Sequence, residues 1–449
     1  MRSEFIERYD LRVPRYTSYP TAPHFGPSVD GAVYARWLGG LDPALPLSLY
    51  LHIAYCAEMC WFCGCHTRAT KKYAPVADYL DALLAEARLV SRHLPARMKI
   101  DHVHFGGGSP TLLTPGDFGR TLAVLREYYN IPLDAEIAVE LDPRTADEPY
   151  VAAMARAGVT RASIGVQDFD ERVQRAINRI QPHEVTARVI GWLRAAGISA
   201  INMDLCYGLP HQTVASLLDT VDKAAALRPS RIALFGYAHV PWMKRHQRLI
   251  PEAALPGLAE RWEQYEAAAA RLAAHGYVAV GLDHFALPDD EMAKAHEAHA
   301  LHRNFQGYTT DAAPVLIGLG ASAIGALPQG YAANELAIDR YKEAVREGRL
   351  PVTRGIAVTR EDRLRRAVIE RLMCDMGVDL DEIALMHDVE ADRFDGELDR
   401  LAPLEADGIV TRDGRRVTLT EEGRPLVRAV CAVFDKYLGQ GAARHSKAV

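Results

Sequence analysis

Short apolar runs rich in β-branched residues recur along this chain, and each is followed by a glycine or polar loop and then by a stretch with helical periodicity. The predicted strands are 47–53, 102–105, 136–140, 161–165, 200–205 and 231–237, with later ones near 278–282 and 315–317. The predicted helices between them are 78–94, 115–129, 147–157, 182–196 and 214–227. Alternation of this kind favours an α/β fold built on a full or partial (β/α) barrel, whose loops meet at the carboxyl ends of the strands.

Polar residues and glycines follow the predicted strands at the end where these loops meet. The second strand runs into the glycine triplet 106–108, the third ends in Glu140, the fourth is followed by Gln167 and the fifth contains Asp204. Glycines let backbone groups approach a ligand closely, and a carboxylate can accept hydrogen bonds from a diol such as a ribose. Each feature alone is also explained by a tight turn or a helix cap. Their recurrence at matching positions predicts a ligand site at one mouth of the barrel.

Four of the seven cysteines lie within ten residues, in the loop after the first predicted strand: Cys56, Cys60, Cys63 and Cys65. Thiolates at such short spacing bind soft metals more readily than they form disulfides. Structural zinc sites draw their ligands from two separated knuckles, whereas cysteines at i, i+4 and i+7 of one loop can hold three irons of a cubane and leave the fourth open. An iron–sulfur cluster is the favoured interpretation, with a zinc site or four structural cysteines as alternatives.

Composition indicates an ordinary soluble protein. The 449 residues are 49% hydrophobic and 24% charged, which suits a barrel-sized domain with a smaller companion. The sequence opens without a charged-then-apolar leader, and no stretch approaches the ~20 apolar residues that span a bilayer, so neither secretion nor membrane insertion is expected. An odd number of cysteines, four of them bunched, fits a reducing cytoplasm. The net charge of −6 argues against nucleic-acid binding.

The character of the chain changes near residue 355. Helical patterns at 361–373 and 379–387 precede a hairpin pattern at 409–418 and a further helix from Glu421 onward, which predicts a small, mostly helical, winged-helix-like domain. Such folds often bind DNA, but residues 355–449 contain 15 Lys and Arg against 19 Asp and Glu. This excess of negative charge is opposite to a phosphate-binding surface and favours a lid or packing role. The predicted organisation is an arm at 1–30, a barrel domain at 31–350 and this domain at 355–449.

The spacing of Cys56, Cys60 and Cys63 after a first barrel strand resembles the signature of the radical S-adenosylmethionine (SAM) superfamily. More narrowly, the whole chain resembles the oxygen-independent coproporphyrinogen III oxidases of haem biosynthesis. The segments that carry the resemblance are 14–21, 63–65, 105–111, 165–169, 204–210, 283–286 and 302–310. The last is the most specific, because haem chaperones that keep the cluster generally lack it. The chain departs from the family pattern at Ala54, at Tyr55 and at Leu287.

The resemblance implies a role for individual residues. Cys56, Cys60 and Cys63 would bind one 4Fe–4S cluster, and Cys65 would not be a ligand. One SAM molecule would lie at the open iron and contact four residues, which are Tyr50, Gly107, Glu140 and Ile324. A second SAM would contact seven, which are Phe62, Gly108, Ser109, Gln167, Arg179, Asp204 and Ala238. Gln306 would join Tyr50, Glu140 and Ile324 in the catalytic set.

The activity implied by the resemblance is anaerobic oxidative decarboxylation of two propionate side chains of coproporphyrinogen III to vinyl groups, which gives protoporphyrinogen IX. A 5′-deoxyadenosyl radical derived from SAM would abstract hydrogen from the β-carbon of each propionate. A reductant such as flavodoxin or ferredoxin and an unidentified electron acceptor would serve a monomeric enzyme. Two alternatives on the same fold stay open: a haem-binding or haem-delivery protein, and another radical SAM enzyme that modifies a tetrapyrrole, for example by methyl transfer.

A propionate-bearing substrate and a reactive radical make two further demands. Carboxylates need cations, and Arg15, Arg179 and Arg303 are the candidates, since guanidinium pairs well with carboxylate. The radical needs shielding from water and from stray side chains. The arm around Tyr16 and Tyr19 and the segment 302–310 are therefore predicted to act as lids.

Overall fold

The structure is a computed structural model, and it describes residues 8, 9 and 11–440. Its first 357 residues contain these elements in chain order: α1 (Gly31–Gly39), β1 (Leu47–Ile53), α2 (Ala74–Ser91), β2 (Ile100–Gly107), α3 (Pro115–Tyr128), β3 (Glu136–Leu141), α4 (Glu148–Ala157), β4 (Arg161–Gln167), α5 (Glu171–Ala176), α6 (His183–Ala195), β5 (Ala200–Tyr207), α7 (Val214–Ala226), β6 (Arg231–Gly236), α8 (Leu258–Ala274), β7 (Val278–Val280), β8 (His284–Ala286), α9 (Glu291–Glu297), β9 (His302–Asn304), β10 (Gly307–Thr309), β11 (Val315–Leu319), β12 (Ile324–Leu327), β13 (Gly330–Asn334), α10 (Ile338–Arg346) and β14 (Val352–Ala357).

Strands β1 to β6 pair side by side in chain order, and every pair is parallel. Strand β11 adds a seventh parallel strand beside β1, and the antiparallel strands β12, β13 and β14 extend that edge. Strands β8 and β7 extend the opposite edge, also antiparallel. The edge strands β14 and β7 are not neighbours, so the sheet curves without closing. The partial barrel, its six main strands and the five predicted helices are confirmed, whereas the strand expected at 278–282 is a short antiparallel edge strand.

The inner face of the barrel is polar. Along β4 and β5, partly exposed residues alternate with buried ones, as in Ser163 beside Ile164 and Asn202 beside Met203. The buried residues pack outward and belong to one large apolar cluster formed with the surrounding helices. Parallel strands covered on both faces are usually apolar throughout, so a polar inner row marks a cavity that is not filled by the protein's own core.

Elements that follow the barrel build a separate apolar cluster. They are α11 (Arg360–Asp375), β15 (Gly377–Asp379), α12 (Leu380–Met386), α13 (Asp395–Ala406), β16 (Val410–Asp413), β17 (Arg416–Leu419) and α14 (Val427–Val433). The three strands form one sheet in the order β15-β17-β16, as a winged-helix-like arrangement requires. The helix predicted from Glu421 onward begins only at Val427, which is a correction. Residues 421–423 form a turn and Arg424–Leu426 form a 3-10 helix. At this turn Gly423 packs closely on the carbonyl of Ile409, where an added Cβ would lie 2.0 Å from the oxygen.

The described part of the arm packs against this second cluster. Tyr9, Tyr16 and Tyr19 are buried among its apolar residues. The Tyr16 hydroxyl donates to Asp435 at 3.1 Å, and the Tyr19 hydroxyl accepts from the backbone N–H of Lys436 at 3.0 Å. Residues 1–7 and 10 of the predicted arm lie outside the described residues. The three-part division of the chain stays a prediction.

None of the helices in residues 8, 9 and 11–440 combines the length and the apolar character that a membrane span needs.

One buried carboxyl group joins α2 to the strands at the β11 side of the sheet. Glu86, 1% exposed, accepts hydrogen bonds from the backbone N–H of Gly320 at 2.7 Å, from Asn334 at 2.6 Å and from the Tyr341 hydroxyl at 2.5 Å. Burial raises the pKa of Glu86 to about 7, although the three hydrogen bonds act in the opposite direction. In the folded protein, Glu86 therefore keeps its carboxyl proton up to a pH of about 7.

We expect Glu86→Gln to change how stability depends on pH. The folded pKa of about 7 lies above the ordinary value of 4.5, so between these values the folded protein retains a proton that the unfolded chain has lost. The parent's free energy of unfolding should therefore fall across this window, by about 3 kcal/mol from this group alone. The variant should gain stability relative to the parent between pH 5 and 8 in urea unfolding. The exposed control Glu127→Gln should show no such gain, and a pH-independent difference for Glu86→Gln would contradict the expectation.

Candidate active site

The cysteine loop begins directly after β1 and is closed by a short parallel pairing of Tyr55–Cys56 with Arg68–Ala69. All of the chain's cysteines are free thiols. Cys60 is buried, Cys56 and Cys63 are partly exposed, and Cys65 is exposed. Cys65 is thus the most exposed of the four cysteines in the loop.

Each of the three predicted ligand sulfurs accepts a hydrogen bond. Thr67 donates to the sulfur of Cys56 at 3.3 Å, and the backbone N–H of Cys65 donates to that of Cys63 at 3.3 Å. The sulfur of Cys60 accepts from two guanidinium groups, those of Arg144 at 3.3 Å and Arg179 at 3.5 Å. Donors placed in this way stabilise thiolates, which are the form that binds iron.

The surroundings of Cys56 and Cys63 shift the pKa values of their thiols in opposite directions. Burial raises the pKa of Cys56 to about 12. The pKa of Cys63 is lowered to about 7, mainly by its hydrogen bond with Cys65 and also by the positive charge of Lys244 and Arg179. Within residues 8, 9 and 11–440, no three His, Cys, Asp or Glu side chains converge on a point that could hold one metal ion. A cubane makes a different demand, because each cysteine binds its own iron, and the free, hydrogen-bonded sulfurs of this loop fit that demand.

A carboxylate at the end of β3 orients the two arginines. Asp142 accepts from Arg144 at 3.0 and 2.7 Å, and from Arg179 at 3.4 Å through each of its oxygens. Arg179 also donates to the carbonyl oxygen of Gly165 at 2.6 Å. The pKa of Asp142 is lowered: burial opposes its charge, but Arg179 and Arg144 outweigh that effect. The sulfur of Cys60 is thus connected to the ends of β3 and β4.

Tyr50, His104 and Glu140 form a continuous row on β1, β2 and β3. The ring of Tyr50 stacks on His104, with centroids 5.8 Å apart, and His104 donates from Nε2 to Glu140 at 3.0 Å. The backbone N–H of Gly107 donates to the other carboxylate oxygen at 3.2 Å. The pKa of Glu140 is lowered, since these hydrogen bonds outweigh the effect of burial. The structure therefore places an ionised carboxylate in the barrel mouth.

His52 has a defined protonation state. Its Nε2 lies 2.7 Å from the carbonyl oxygen of His66 and must donate to it, so Nδ1 accepts from the Tyr50 hydroxyl at 3.1 Å. Burial lowers the pKa of His52 to about 4, which keeps the ring neutral. His52 therefore fixes the Tyr50 hydroxyl and has a structural role.

The glycine triplet after β2 is required by the protein's own packing. An added Cβ would lie 2.6 Å from Glu140 at Gly106, 2.5 Å from the His52 ring at Gly107, and 2.5 Å from the carbonyl oxygen of Tyr55 at Gly108. Gly107 also has a positive φ of 108°, which favours glycine. The triplet brings β2 against the cysteine loop, and this close approach is a reason for glycine that the sequence did not reveal.

Asp204 and Ser163 lie beside Glu140 on the next strands. Asp204 accepts from Asn202 at 2.7 Å and from Ser163 at 3.3 Å. Burial and the charge of Glu140 raise the pKa of Asp204 to about 6.

Gln167, at the end of β4, has a positive φ of 72°, and its amide has no hydrogen-bond partner among the described residues. Ser109 is buried, and its hydroxyl bonds to Thr111 at 2.7 Å.

A segment far along the chain, residues 244–247, contacts the cysteine loop, and no pattern in the sequence predicts this contact. The buried amide of Gln247 donates to the carbonyl oxygens of Phe62 at 3.0 Å and Ala238 at 3.2 Å. His246 lies 2.7 Å from the carbonyl oxygen of Cys63, and Lys244 donates to that of Cys65 at 3.0 Å. These contacts bring Phe62 and Ala238 together, as the prediction of a shared ligand site requires. Arg144 was also missed, although it follows a strand end by only three residues.

The two remaining predicted catalytic residues, Ile324 and Gln306, come from later parts of the chain. Ile324 begins β12, and its backbone packs on Gly318, the register partner of Tyr50 on β11. Gln306 is at the tip of the β9–β10 hairpin, where its backbone N–H donates to Asn304 at 2.9 Å. The structure thus gathers Tyr50, Glu140 and Ile324 near β1, while Gln306 extends from a separate hairpin. Of the departures from the family pattern, Ala54 and Tyr55 are buried, and Leu287 is partly buried against the barrel core.

Two protein families match parts of this chain. The profile of the radical SAM superfamily matches residues 50–224, and the HemN C-terminal domain matches residues 358–426. A cysteine loop at the mouth of an open βα barrel, together with these matches, defines a radical SAM enzyme.

Relatives narrow the assignment. The chain is 50% identical over 450 residues to the oxygen-independent coproporphyrinogen III oxidase of Bradyrhizobium diazoefficiens, with 100% of both chains covered. It is 40% identical over 439 residues to the Escherichia coli enzyme of that name, covering 97% of this chain and 95% of the relative. The solved structure of coproporphyrinogen III oxidase (HemN) from Escherichia coli, described as a radical SAM enzyme, superposes with a TM-score of 0.91 at 38% identity and covers 95% of this chain and 100% of that one. The chain belongs to the oxygen-independent coproporphyrinogen III oxidases.

We expect Arg144→Gln to make the reduction potential of the cluster more negative. A guanidinium that donates to a ligand sulfur favours the reduced, more negative cluster. A net hydrogen bond contributes about 0.5–1.5 kcal/mol, which corresponds to a shift of roughly 20–60 mV for one electron. A redox titration followed by electron paramagnetic resonance, without SAM, measures this shift. The matched control is Arg175→Gln, which removes an exposed arginine that pairs with Glu171. Equal potentials in both variants would contradict the assignment.

Proposed function

We propose that this chain catalyses the anaerobic oxidative decarboxylation of two propionate side chains of coproporphyrinogen III to vinyl groups, forming protoporphyrinogen IX in haem biosynthesis. The observation that carries the proposal is a match along the entire chain to enzymes named for this substrate, at up to 50% identity. The hydrogen-bonded cysteine loop beside an ionised carboxylate supports the same chemistry.

The cofactors of the radical SAM family, a 4Fe–4S cluster and SAM, fit the residues at this mouth. When bound, they supply a 5′-deoxyadenosyl radical that removes hydrogen from a propionate β-carbon. Cys56, Cys60 and Cys63 hold the cluster in this proposal. Arg144 and Arg179 donate hydrogen bonds to the sulfur of Cys60. Cys65, exposed and second in line after Cys63, remains free of iron.

The first SAM molecule is proposed to lie against Tyr50, Gly107, Glu140 and Ile324. The support is electrostatic: His104 and Gly107 hold Glu140 as a carboxylate, which is the form that accepts hydrogen bonds from a ribose. The hydroxyl of Tyr50 is fixed by His52, so the aromatic wall of this site has one orientation. These residues bind and orient, and Gln306 on the β9–β10 hairpin is proposed to face the reacting centre.

A second SAM molecule is proposed to contact Phe62, Gly108, Ser109, Gln167, Arg179, Asp204 and Ala238. Two observations support it. The backbone of Gln167 has a left-handed conformation, and its side-chain amide forms no hydrogen bond within the described part of the chain. Gln247 brings the backbone of Phe62 and Ala238 together.

Gln167→Ala should weaken one of two SAM sites and leave the other intact. The lost hydrogen bond to a charged ligand raises one dissociation constant by about tenfold or more, while the cluster keeps its absorbance. Equilibrium dialysis of reconstituted protein with labelled SAM measures both the number of sites and their affinities. Gln440→Ala, an exposed position far along the chain, serves as the control. One site per chain in the parent would exclude the second molecule.

Anaerobic turnover with mass analysis tests the activity itself. Reconstituted protein with SAM, a one-electron reductant and coproporphyrinogen III should yield a product that has lost two carboxyl groups. Cys56→Ala, Cys60→Ala and Cys63→Ala should abolish product and lose iron and sulfide, since each removes a cluster ligand. Cys65→Ser is the matched control and should keep its iron and sulfide.

Other outcomes of this experiment separate the alternatives. Tightly bound haem without decarboxylated product would favour haem binding or delivery. A methylated tetrapyrrole would indicate a different radical SAM reaction. Colourless protein that retains zinc and lacks sulfide would contradict the cluster.

We extend the proposal to the setting of the enzyme. A flavodoxin or ferredoxin is proposed as the electron donor, an unidentified compound as the acceptor, and a monomer as the working form in the cytoplasm. The free state of all seven cysteines supports a reducing compartment. The division into an arm at 1–30, a barrel domain at 31–350 and a C-terminal domain at 355–449 is part of this proposal, and the two separate apolar clusters support it.

A further inference from the structure

The C-terminal domain binds the arm through hydrogen bonds to residues 13–16. Arg428, on α14, donates through Nε to the carbonyl oxygen of Pro14 at 2.9 Å and through Nη2 to that of Val13. The Tyr16 hydroxyl donates to Asp435 of the same domain at 3.1 Å. Both sides of Arg15 are therefore fixed by residues that lie about 415 positions away in sequence, so the position of Arg15 is set by the C-terminal domain.

This fastening places Arg15 beside an arginine of the barrel. Arg303, on β9, donates through Nη2 to the carbonyl oxygen of Arg15 at 3.4 Å. The pKa of Arg428 is lowered to about 10 by burial and by the positive charges of Arg15 and Arg303. Three guanidinium groups from the arm, the barrel and the C-terminal domain thus lie close enough to repel one another.

Two members of this cluster of Arg15, Arg303 and Arg428, namely Arg15 and Arg303, have hydrogen-bond donors without a partner among the described residues. Nε and Nη1 of Arg303 are buried and have no hydrogen-bond partner within residues 8, 9 and 11–440. The guanidinium lies 4.3 Å from the centroid of the Tyr308 ring, which supports it from one side. In the described part of the chain, the side chain of Arg15 has no hydrogen-bond partner either, and it is exposed. A buried donor without a partner is unfavourable, so the arrangement is suited to an anion that arrives from outside.

The local acidic group does not neutralise this charge. Asp283 is the carboxylate whose pKa is lowered in part by Arg303 and Arg15. Its hydrogen bond, however, goes to His284 at 2.7 Å. Among the described residues, Asp283 forms no ion pair with any of the three arginines within 4.0 Å. Within the same described residues, neither Arg15 nor Arg303 forms an ion pair with a carboxylate, so their positive charge remains beside the contact between the arm and the β9–β10 hairpin.

A cavity adjoins the cluster. It has a volume of about 240 Å³ and is lined by residues 16–19 of the arm and 302–305 of the barrel, among others. This volume suits a side chain or one edge of a ligand rather than an entire tetrapyrrole. The next residue, Gln306, is the proposed active-site residue of the hairpin.

We propose that Arg15 and Arg303, held in place by Arg428, form a binding site for a carboxylate of the tetrapyrrole substrate. This inference rests on the proposed function and deepens it by naming the groups that recognise the substrate's propionates. Guanidinium is the side chain best matched to a carboxylate in such a partly buried site. Because the site needs the arm, the barrel and the C-terminal domain together, it gives the C-terminal domain a role in substrate binding without direct contact with the reacting atoms.

Binding of a stable, fluorescent substrate relative tests the site without turnover. Coproporphyrin III and its tetramethyl ester are titrated against the reconstituted protein and the variants Arg303→Gln, Arg303→Lys and Arg15→Gln. For the free acid, Arg303→Gln and Arg15→Gln should raise the dissociation constant by about ten- to one-hundredfold, because a charge-assisted hydrogen bond is lost. Arg303→Lys should recover part of the affinity. For the ester, which lacks the charge, the variants should bind like the parent.

Arg12→Gln is the matched control, since Arg12 is an exposed arginine of the same arm that lies over Trp242 instead. It should leave both affinities unchanged. If Arg303→Gln fails to fold, as judged by its melting temperature and cluster absorbance, the exposed Arg15 still provides the test. Unchanged acid binding in Arg15→Gln and Arg303→Gln, or an equal loss for acid and ester, would overturn the proposal. A parent that makes no decarboxylated product would instead contradict the proposed function, so the two failures are distinguishable.

Discussion

The two guanidinium groups on the sulfur of Cys60 are the interaction on which the site depends. Arg144 follows β3, Arg179 follows α5, and Asp142 holds both in the orientation that reaches the sulfur. A buried sulfur anion would be costly without compensating charge, and two arginines shared with one carboxylate leave a net positive surrounding for it. The same contacts fix the cysteine loop against the ends of β3 and β4. Arg144, Arg179 and Asp142 therefore both compensate the charge of the Cys60 sulfur and hold the cysteine loop in place.

The open barrel explains how such a site can also admit large ligands. Its inner row of Tyr50, His104, Glu140, Ser163 and Asp204 is polar and partly exposed, while its outer residues pack tightly under the helices. Stability thus comes from the outer face, and the inner face is free to carry ligand-binding groups. The strands of a closed, filled barrel would leave no such volume. The arm contacts both the β9–β10 hairpin, through Arg303, and the C-terminal domain, through Arg428.

Local patterns predicted the fold because strands, helices and their order depend on short-range regularities. The first strand was placed at its observed bounds, and the cysteine spacing and the residues at strand ends are all visible in contiguous sequence. Contacts over long sequence distances could not be seen in the same way. Gln247 and His246 reach the cysteine loop from more than 180 residues away, and Arg428 reaches the arm from more than 410. The late start of α14 was also missed, since the residues just before it form a turn and a 3-10 helix, with Gly423 packed on Ile409.

The cysteine loop is held largely by contacts that do not involve sulfur. The backbone N–H of Trp61 donates to the carbonyl oxygen of Ile177 at 2.9 Å, and Asn178 donates to that of Met59 at 2.9 Å. Gln247 and Lys244 bind two more carbonyl oxygens of the loop from the opposite side. Small zinc domains fold only when the metal ties their ligands together. Here backbone hydrogen bonds, together with Asn178, Gln247 and Lys244, hold the loop against the barrel, so its conformation does not depend on bonds to the cysteine sulfurs alone.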